Sequence, residues 1–226
     1  MYRTEFGGSH YELGTSGFLY RSNKLMYDHK TKSLWSTLQG EPVVGPLVGY
    51  DIKLERRYLV TTTWGEWKKR HPDSIVLSLD TGFKRDYGEG VAYRNYFATD
   101  ELMFTVPEID ARLLNKDEVF ALRNEEEELA ISKKFLKKKR VHHDKVGRQS
   151  IVVLTDKEGA IRAYDVGQTR FKTWNETDAA IDQKGNTWRV FEDRLTSGNK
   201  RLMRVPSHEA FWFGWVSQYP KTRLVK

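Results

Sequence analysis

The sequence predicts a mainly β fold with short helices, an α+β domain in which two diverged copies of one β-rich half pack as a single compact unit. Three observations carry that reading. Short runs of β-branched and aromatic residues alternate with glycine-centred turns, only two stretches have the spacing and caps of a helix, and a tryptophan pattern recurs 148 positions apart. One domain is expected over residues 1–226, with a first half of about 1–110 and a second of about 111–226.

The turns Gly7-Gly8, Asp80-Thr81-Gly82, Asp156-Lys157-Glu158-Gly159 and Ser197-Gly198-Asn199 punctuate the chain, as such clusters do between strands. Around the third lie Gln149–Thr155 and Ala160–Asp165. Both runs suit a pleated, half-buried surface, so together they predict a hairpin. Pro42 and Pro46 fall beside Gly40 and Gly45; no helix survives that spacing, and an extended loop or edge segment is expected.

Thr63–His71 reads as a helix ending before Pro72. Thr63 can cap the free N–H groups, the basic residues at the end suit the negative pole, and Trp64 and Trp67 share a face. Ser207–Gln218 reads as a second helix, capped by Ser207 and ending before Pro220,. Trp64, Trp67 and Pro72 of the first recur as Trp212, Trp215 and Pro220 of the second. Leu54 matches Leu202, Ser74–Leu77 matches Thr222–Val225, and Asp28 before Trp35 resembles Asp182 before Trp188. A register kept across a helix, a proline and a strand points to duplication. The expected consequence is that each helix lays an indole pair onto a sheet and the two units face each other about a pseudo-twofold axis.

The chain contains no cysteine, which excludes disulfides, thiolate metal sites and thiol nucleophiles. Aromatic residues at 13% supply ample core material and argue against disorder. No apolar run approaches the roughly 20 residues of a membrane span, so no transmembrane segment is expected. The start at Met1 lacks an apolar leader, so the chain reads as cytoplasmic as it stands. The formal charge is +7, much of it between Lys133 and Lys145. That run reads first as a solvated face balanced by Glu125–Glu128, and second as a weak polyanion-binding patch. With Phe135 its one interleaved aromatic, no specific nucleic-acid partner is expected.

Gly14-Thr15-Ser16-Gly17-Phe18-Leu19-Tyr20-Arg21-Ser22-Asn23-Lys24-Leu25-Met26-Tyr27-Asp28 is followed by Leu34-Trp35-Ser36 and by Gly40-Glu41-Pro42-Val43-Val44-Gly45-Pro46-Leu47. Then come Thr62-Thr63-Trp64, His71-Pro72-Asp73 and Arg85-Asp86-Tyr87. In this order the motifs resemble the prokaryotic family known as domain of unknown function 3179. The resemblance is closest from about residue 6 to residue 90 and stays collinear through Asp110–Leu113 and the C-terminal repeat. It implies a fold more than an activity. Family members carry a Cys-Pro-x-Cys-type element ahead of the Gly-Thr-Ser-Gly-like motif; with no cysteine in this chain, no redox or metal role is carried over. Many members look exported or membrane-anchored, which implies an envelope location if a leader has been lost.

Candidate ligand-binding residues are Tyr20, Arg21, Asn23, Tyr27 and Asp28, clustered within nine positions, and Arg85, Asp86 and Tyr87. Arg21 can fork onto a carboxylate or phosphate, while a polar turn in which Asn23 and Asp28 bond backbone amides fits the same residues equally well. Arg85 and Asp86 read as a buried ion pair, lining a cleft or tying down a loop. His142-His143-Asp144 is not expected to chelate a metal, because neighbours on a strand face opposite ways, and no cofactor is expected. Ser16 reads as part of a turn rather than as a nucleophile. The favoured function is a soluble, non-catalytic ligand-binding or scaffolding module with a polar cleft between the repeats, its partner a small molecule or protein. The alternatives are a hydrolase-type enzyme using Asp28 or Asp86 as base, and a weak polyanion binder through Lys133–Lys145.

Overall fold

The computed structural model describes all 226 residues as a mainly β molecule with short helices. The first elements are β1 (Glu5–Phe6), β2 (Ser9–His10), β3 (Leu13–Tyr20), β4 (Asn23–Asp28), β5 (Leu34–Ser36), β6 (Glu41–Val44), α1 (Trp64–Arg70) and α2 (Arg94–Ala98). They are followed by β7 (Glu118–Arg123), β8 (Glu128–Ser132), α3 (Lys133–Lys138), β9 (Val141–Val146), β10 (Gln149–Thr155) and β11 (Ile161–Asp165). The chain ends with β12 (Phe171–Trp174), β13 (Ala179–Asp182), β14 (Thr187–Val190), β15 (Arg194–Ser197), β16 (Lys200–Met203), β17 (Ser207–Phe211), α4 (Trp212–Gln218) and β18 (Arg223–Val225).

The C-terminal part holds nearly all of the core. Its sheets have the orders β11-β10-β9, β12-β13-β14-β15-β16 and β17-β7-β8-β18. The predicted hairpin is β10–β11, antiparallel from Ile151 opposite Asp165 to Thr155 opposite Ile161. One apolar cluster joins Phe120, Leu122, Leu129 and Ile131 to Ile151, Val153 and Ile161. A second gathers Val152, Leu154 and Tyr164 with Phe171, Trp174 and Trp188. Alternate residues of β10 thus feed opposite cores, as the two-residue period of a strand requires.

The helix expected over Ser207–Gln218 is shorter. Ser207–Phe211 is the strand β17, paired antiparallel with β7, and only Trp212–Gln218 is helical. Ser207 therefore does not cap; its hydroxyl donates to Val205 O, and Phe211 occupies the cap position without a side-chain bond. Five ladder residues outcompete the helical register because β7 offers a complete row of partners. All seven residues of α4 are buried. Trp212 and Trp215 share one apolar cluster with Val119, Ala121, Ala130 and Leu38.

The N-terminal part is a four-stranded antiparallel sheet, β3-β4-β5-β6, with the small β1–β2 hairpin beside it. Pro42 lies in β6, an edge strand, where its missing N–H costs no ladder bond. α1 starts as the sequence predicts, with Thr63 Oγ1 accepting from Glu66 N at 3.3 Å. Its packing does not. α1 has no buried residue, and Trp64 and Trp67 are 49% and 41% exposed where Trp212 and Trp215 are 0%. The expectation that both indole pairs lie on sheets and face each other is corrected: only the α4 pair is packed. The turn at 80–82 joins no strands.

The two parts nonetheless repeat a set of contacts. Trp35 Nε1 donates to Asp28 at 3.1 Å and Trp188 Nε1 to Asp182 at 3.0 Å. Tyr2 Oη donates to the carbonyl of Leu38, three residues after Trp35; Tyr164 Oη donates to that of Phe191, three after Trp188. Tyr2 bridges Arg56 and Tyr164 bridges Arg204, both antiparallel. Trp67 Nε1 reaches Ser74 Oγ at 2.8 Å and Trp215 Nε1 reaches Thr222 Oγ1 at 2.9 Å, each seven residues on. The residues ending the two helices, His71 and Tyr219, share φ −132°, ψ 69° and φ −131°, ψ 72°.

Arginines join the parts through backbone carbonyls. Arg56 donates to Arg123 O at 2.6 Å, Arg123 to Gln39 O at 2.5 Å and Arg204 to Leu59 O at 3.3 Å. Arg162 and Arg204, both buried, share Glu192, at 2.8 and 3.2 Å, and Arg162 also meets Asp156. Burial raises the Glu192 carboxyl, but the bonds and charge of the two arginines outweigh it and the net shift is downward. Lys133 is held by Glu118 and Glu209, and Lys134 by Asp117. Those acids, not Glu125–Glu128, balance the start of the basic run; Glu126 and Glu127 pair with Arg148 and Arg223 instead.

Two outcomes follow from this packing. Trp215→Ala is expected to destabilise the fold by about 3–5 kcal/mol in urea denaturation, and Trp67→Ala by less than about 1 kcal/mol. Equal losses would contradict the burial difference. His208 sits against Trp215, its pKa pushed down to about 4 by burial first and then by the N-terminus, Arg123 and Arg56. The unfolded chain binds this proton from about pH 6.5 downward, while the fold excludes it until about pH 4. Stability therefore falls as pH drops through that window, by at most about 3 kcal/mol. Urea titrations of His208→Phe across the same window should lose this part of the slope.

Candidate functional site

The β3–β4 hairpin turns on Arg21 and Ser22, with Tyr20 opposite Asn23. Both turn residues have positive φ, 48° and 58°. A two-residue hairpin loop of this kind asks for Asn-Gly, because side chains beyond Cβ are strained there. Arg and Ser are held in that conformation by the C-terminal end of α4. Arg21 Nη1 donates to Ser217 O at 2.8 Å, Ser217 Oγ to Arg21 O at 3.2 Å, and Gln218 Nε2 to Tyr20 O at 3.1 Å. A guanidinium suits the free carbonyls at a helix C-terminus.

Beside this turn opens a hollow of about 300 Å³. Leu19 and Ser22 from the hairpin, Phe213 of α4, and Tyr93, Tyr96, Phe97, Met103 and Phe104 line it. Tyr93 also has positive φ, 57°, a genuine outlier for so bulky a residue. The aromatic wall is pinned to the C-terminal part. Lys116 Nζ donates to Tyr96 O and Thr99 O and lies 3.7 Å from the Tyr96 ring centroid. Asp100 accepts from the backbone of Asn115 and Lys116, and Phe97 meets Phe211 at 6.2 Å. Ser22 and Tyr93, two of the chain's six non-glycine residues with positive φ, thus line one apolar hollow, and a third, Arg21, precedes Ser22 in the turn. Strain of this kind persists only where the surroundings over-determine it, and it gathers at binding and catalytic sites.

This hollow differs in chemistry from the polar cleft expected between the repeats: seven of its eight lining residues are hydrophobic and Ser22 is the polar one. Of the residues predicted for the site, Tyr20 and Arg21 lie between the lining residues Leu19 and Ser22 in sequence but do not line the hollow; the Arg21 guanidinium sits 5.5 Å from the Tyr20 ring. Asn23 instead accepts from Thr37 Oγ1. Tyr27 packs tilted against His29, with the Lys32 ammonium 5.3 Å from its ring centroid. Asp28 is fully buried and accepts from Thr31 N, Thr31 Oγ1 and Trp35 Nε1. Burial raises its carboxyl, but these donors overcome it and the net shift is downward, as a turn-building aspartate requires.

Arg85, Asp86 and Tyr87 lie on an exposed loop, so the buried ion pair predicted there is corrected. Arg85 stacks over Phe83, Asp86 accepts from Gly88 N, and Tyr87 bonds Thr81. A base needs a free lone pair near a bound substrate. Asp28 has its oxygens engaged and Asp86 faces solvent, so neither has the setting that the hydrolase alternative needs. Ser16 lies in β3, where the β3–β4 register is interrupted between Thr15 and Leu19, and not in the turn expected there; it donates to Leu25 O and accepts from Phe18 N. His142 pairs with Asp144, and His143 bonds the Phe171 backbone.

The residues missed from sequence are Tyr93, Tyr96, Phe97, Met103, Phe104 and Phe213. Their signal is the spacing of Tyr93, Tyr96 and Phe97, which places three rings on one side of a helical turn, in a stretch without an apolar core pattern of its own.

The family model described as "Protein of unknown function (DUF3179)" matches residues 1–222. No curated protein and no solved structure matches the chain.

If the strained turn is held only by its contacts to α4, Ser22→Gly should raise the thermal unfolding free energy by about 1 kcal/mol, whereas Arg21→Ala should lower it. A Ser22→Gly variant less stable than the parent in calorimetry would show that the turn carries no strain.

Proposed function

This chain belongs to the DUF3179 family, and we propose that it is a non-catalytic binding module whose ligand is an aromatic or branched apolar group seated in the hollow between the Arg21–Ser22 turn, α2 and Phe213. The observation that carries this is that Ser22 and Tyr93, both at positive φ, belong to a largely aromatic lining drawn from three separate stretches of chain. A volume near 300 Å³ is at the small end for ligand sites, which are mostly apolar with a few orienting polar groups. Ser22 Oγ is such a group at the rim. The carboxylates that an enzyme reading would use lie outside the hollow, engaged in a turn or facing solvent.

The architecture is read as a duplication. The matched contacts of Asp28–Trp35 and Asp182–Trp188, Tyr2–Arg56 and Tyr164–Arg204, and Trp67–Ser74 and Trp215–Thr222 support it. In this reading the hollow belongs to the seam between the copies. That placement suits a site that senses or fixes their relative position.

The test is a titration of the isotope-labelled chain with indole, a bicyclic aromatic, followed by nuclear magnetic resonance. Saturable shifts are expected at Leu19, Ser22, Tyr96, Phe97 and Phe213, with a Kd below about 1 mM. Lys116→Ala frees the aromatic wall and should weaken binding at least about fivefold, roughly 1 kcal/mol. Shifts scattered over the surface, or equal binding by the Lys116→Ala chain, would overturn the assignment.

A further inference from the structure

The matched helices α1 and α4 connect their flanking segments in the same way but have different surroundings. α4 links β17 to β18, and those strands are separated in their sheet by β7 and β8. β17 lies antiparallel to β7, β7 antiparallel to β8, and β18 parallel to β8. α4 is therefore a crossover that covers a two-stranded hairpin, and the small side chains of that hairpin, Val119, Ala121 and Ala130, receive its indoles. By the 148-residue register, Leu59–Thr63 corresponds to β17 and Ile75–Leu77 to β18. Neither is paired in a sheet. Ile75 and Leu77 are each 96% exposed, Val76 is 70% exposed, and the α1 indoles are open.

We infer that this face of the N-terminal part is a docking surface for a two-stranded β-hairpin of the β7–β8 kind. The conclusion rests on the duplication read above. Because α1 leaves and re-enters extended backbone with the cap geometry of α4, its flanking segments are directed onto tracks two strands apart. A single strand leaves one of them unpaired, whereas a hairpin satisfies both. One strand of the occupant runs antiparallel to Leu59–Thr63 and the other parallel to Ile75–Leu77. On the side toward α1 it carries small or β-branched residues at alternate positions, the chemistry that lets Trp212 and Trp215 close down on Val119, Ala121 and Ala130. An unpaired edge carrying exposed Ile, Val, Leu and Trp otherwise invites irregular pairing.

The probe is the chain's own hairpin as a synthetic peptide, residues 113–134, added to the full chain and also tethered ahead of Met1 through a Gly-Ser linker to raise its effective concentration. Hydrogen exchange and tryptophan fluorescence are the readouts. The amides of 59–63 and 75–77 are expected to slow by at least about tenfold, a gain of about 1.4 kcal/mol in local opening, while emission from Trp64 and Trp67 moves to the blue. Val76→Pro, at a position whose exposed backbone tolerates it in the free chain, should abolish the effect by removing a ladder donor. Three results would overturn the inference: no protection with the tethered hairpin, protection confined to other segments, or the same protection without peptide in a chain that sediments as a dimer. The last would make a second copy the occupant. Indole binding at the hollow is read out separately, so either conclusion can fail alone.

Discussion

Burial of α4 is the constraint on which the other features depend. A seven-residue helix has too little intrinsic stability to persist alone, so its place is set by what surrounds it. One face drives Trp212 and Trp215 into Val119, Ala121 and Ala130. Its C-terminal end supplies the Ser217 carbonyl and the Gln218 amide that grip Tyr20 and Arg21. Phe213 lines the hollow. The sheet core, the strained turn and the candidate ligand site are three consequences of one short element being enclosed on every side.

Charge plays an unusual part in joining the two parts of the chain. Most of the linking arginines donate to neutral carbonyls: Arg21 to Ser217, Arg56 to Arg123, Arg123 to Gln39 and Arg204 to Leu59. Such bonds fix geometry without cancelling charge, whereas the buried Arg162 and Arg204 share the half-exposed Glu192, which cancels part of their charge. The pattern accounts for a chain that is +7 overall yet uses many cations structurally. It also weakens a polyanion reading of Lys133–Lys145, because Lys133 and Lys134 are already engaged by Glu209, Glu118 and Asp117. A surface binder of phosphates needs its cations free to exchange counterions.

Local chemistry was legible in the sequence where one residue type has one physical use. Gly159 closes the β10–β11 hairpin at φ 90°, Thr63 caps α1, and Pro42 marks an edge. What was not legible depended on partners distant in the chain. Ser207–Phe211 has helix-like composition, and only the ladder of β7, nearly ninety residues earlier, makes it a strand. Asp28 has the composition of a binding residue, and only the indole of Trp35 shows that its charge is spent on a turn. The hollow escaped because its walls come from stretches around residues 20, 95 and 213, which no local pattern unites.

The same contrast orders the molecule energetically. Three apolar clusters fall in the C-terminal part, to which the N-terminal part contributes only Leu38. The N-terminal part relies on the Asp28–Trp35 turn, a few buried side chains and borrowed hydrogen bonds. A region with few buried contacts opens at low free-energy cost, and binding elements are drawn from such regions because they must rearrange. Both surfaces singled out here, the aromatic hollow and the open face of α1, include segments of that weaker part, and one of them abuts α4. A ligand or strand that orders the N-terminal part therefore acts on the Arg21–Ser217 contact, and through it on the helix around which the rest of the fold is packed.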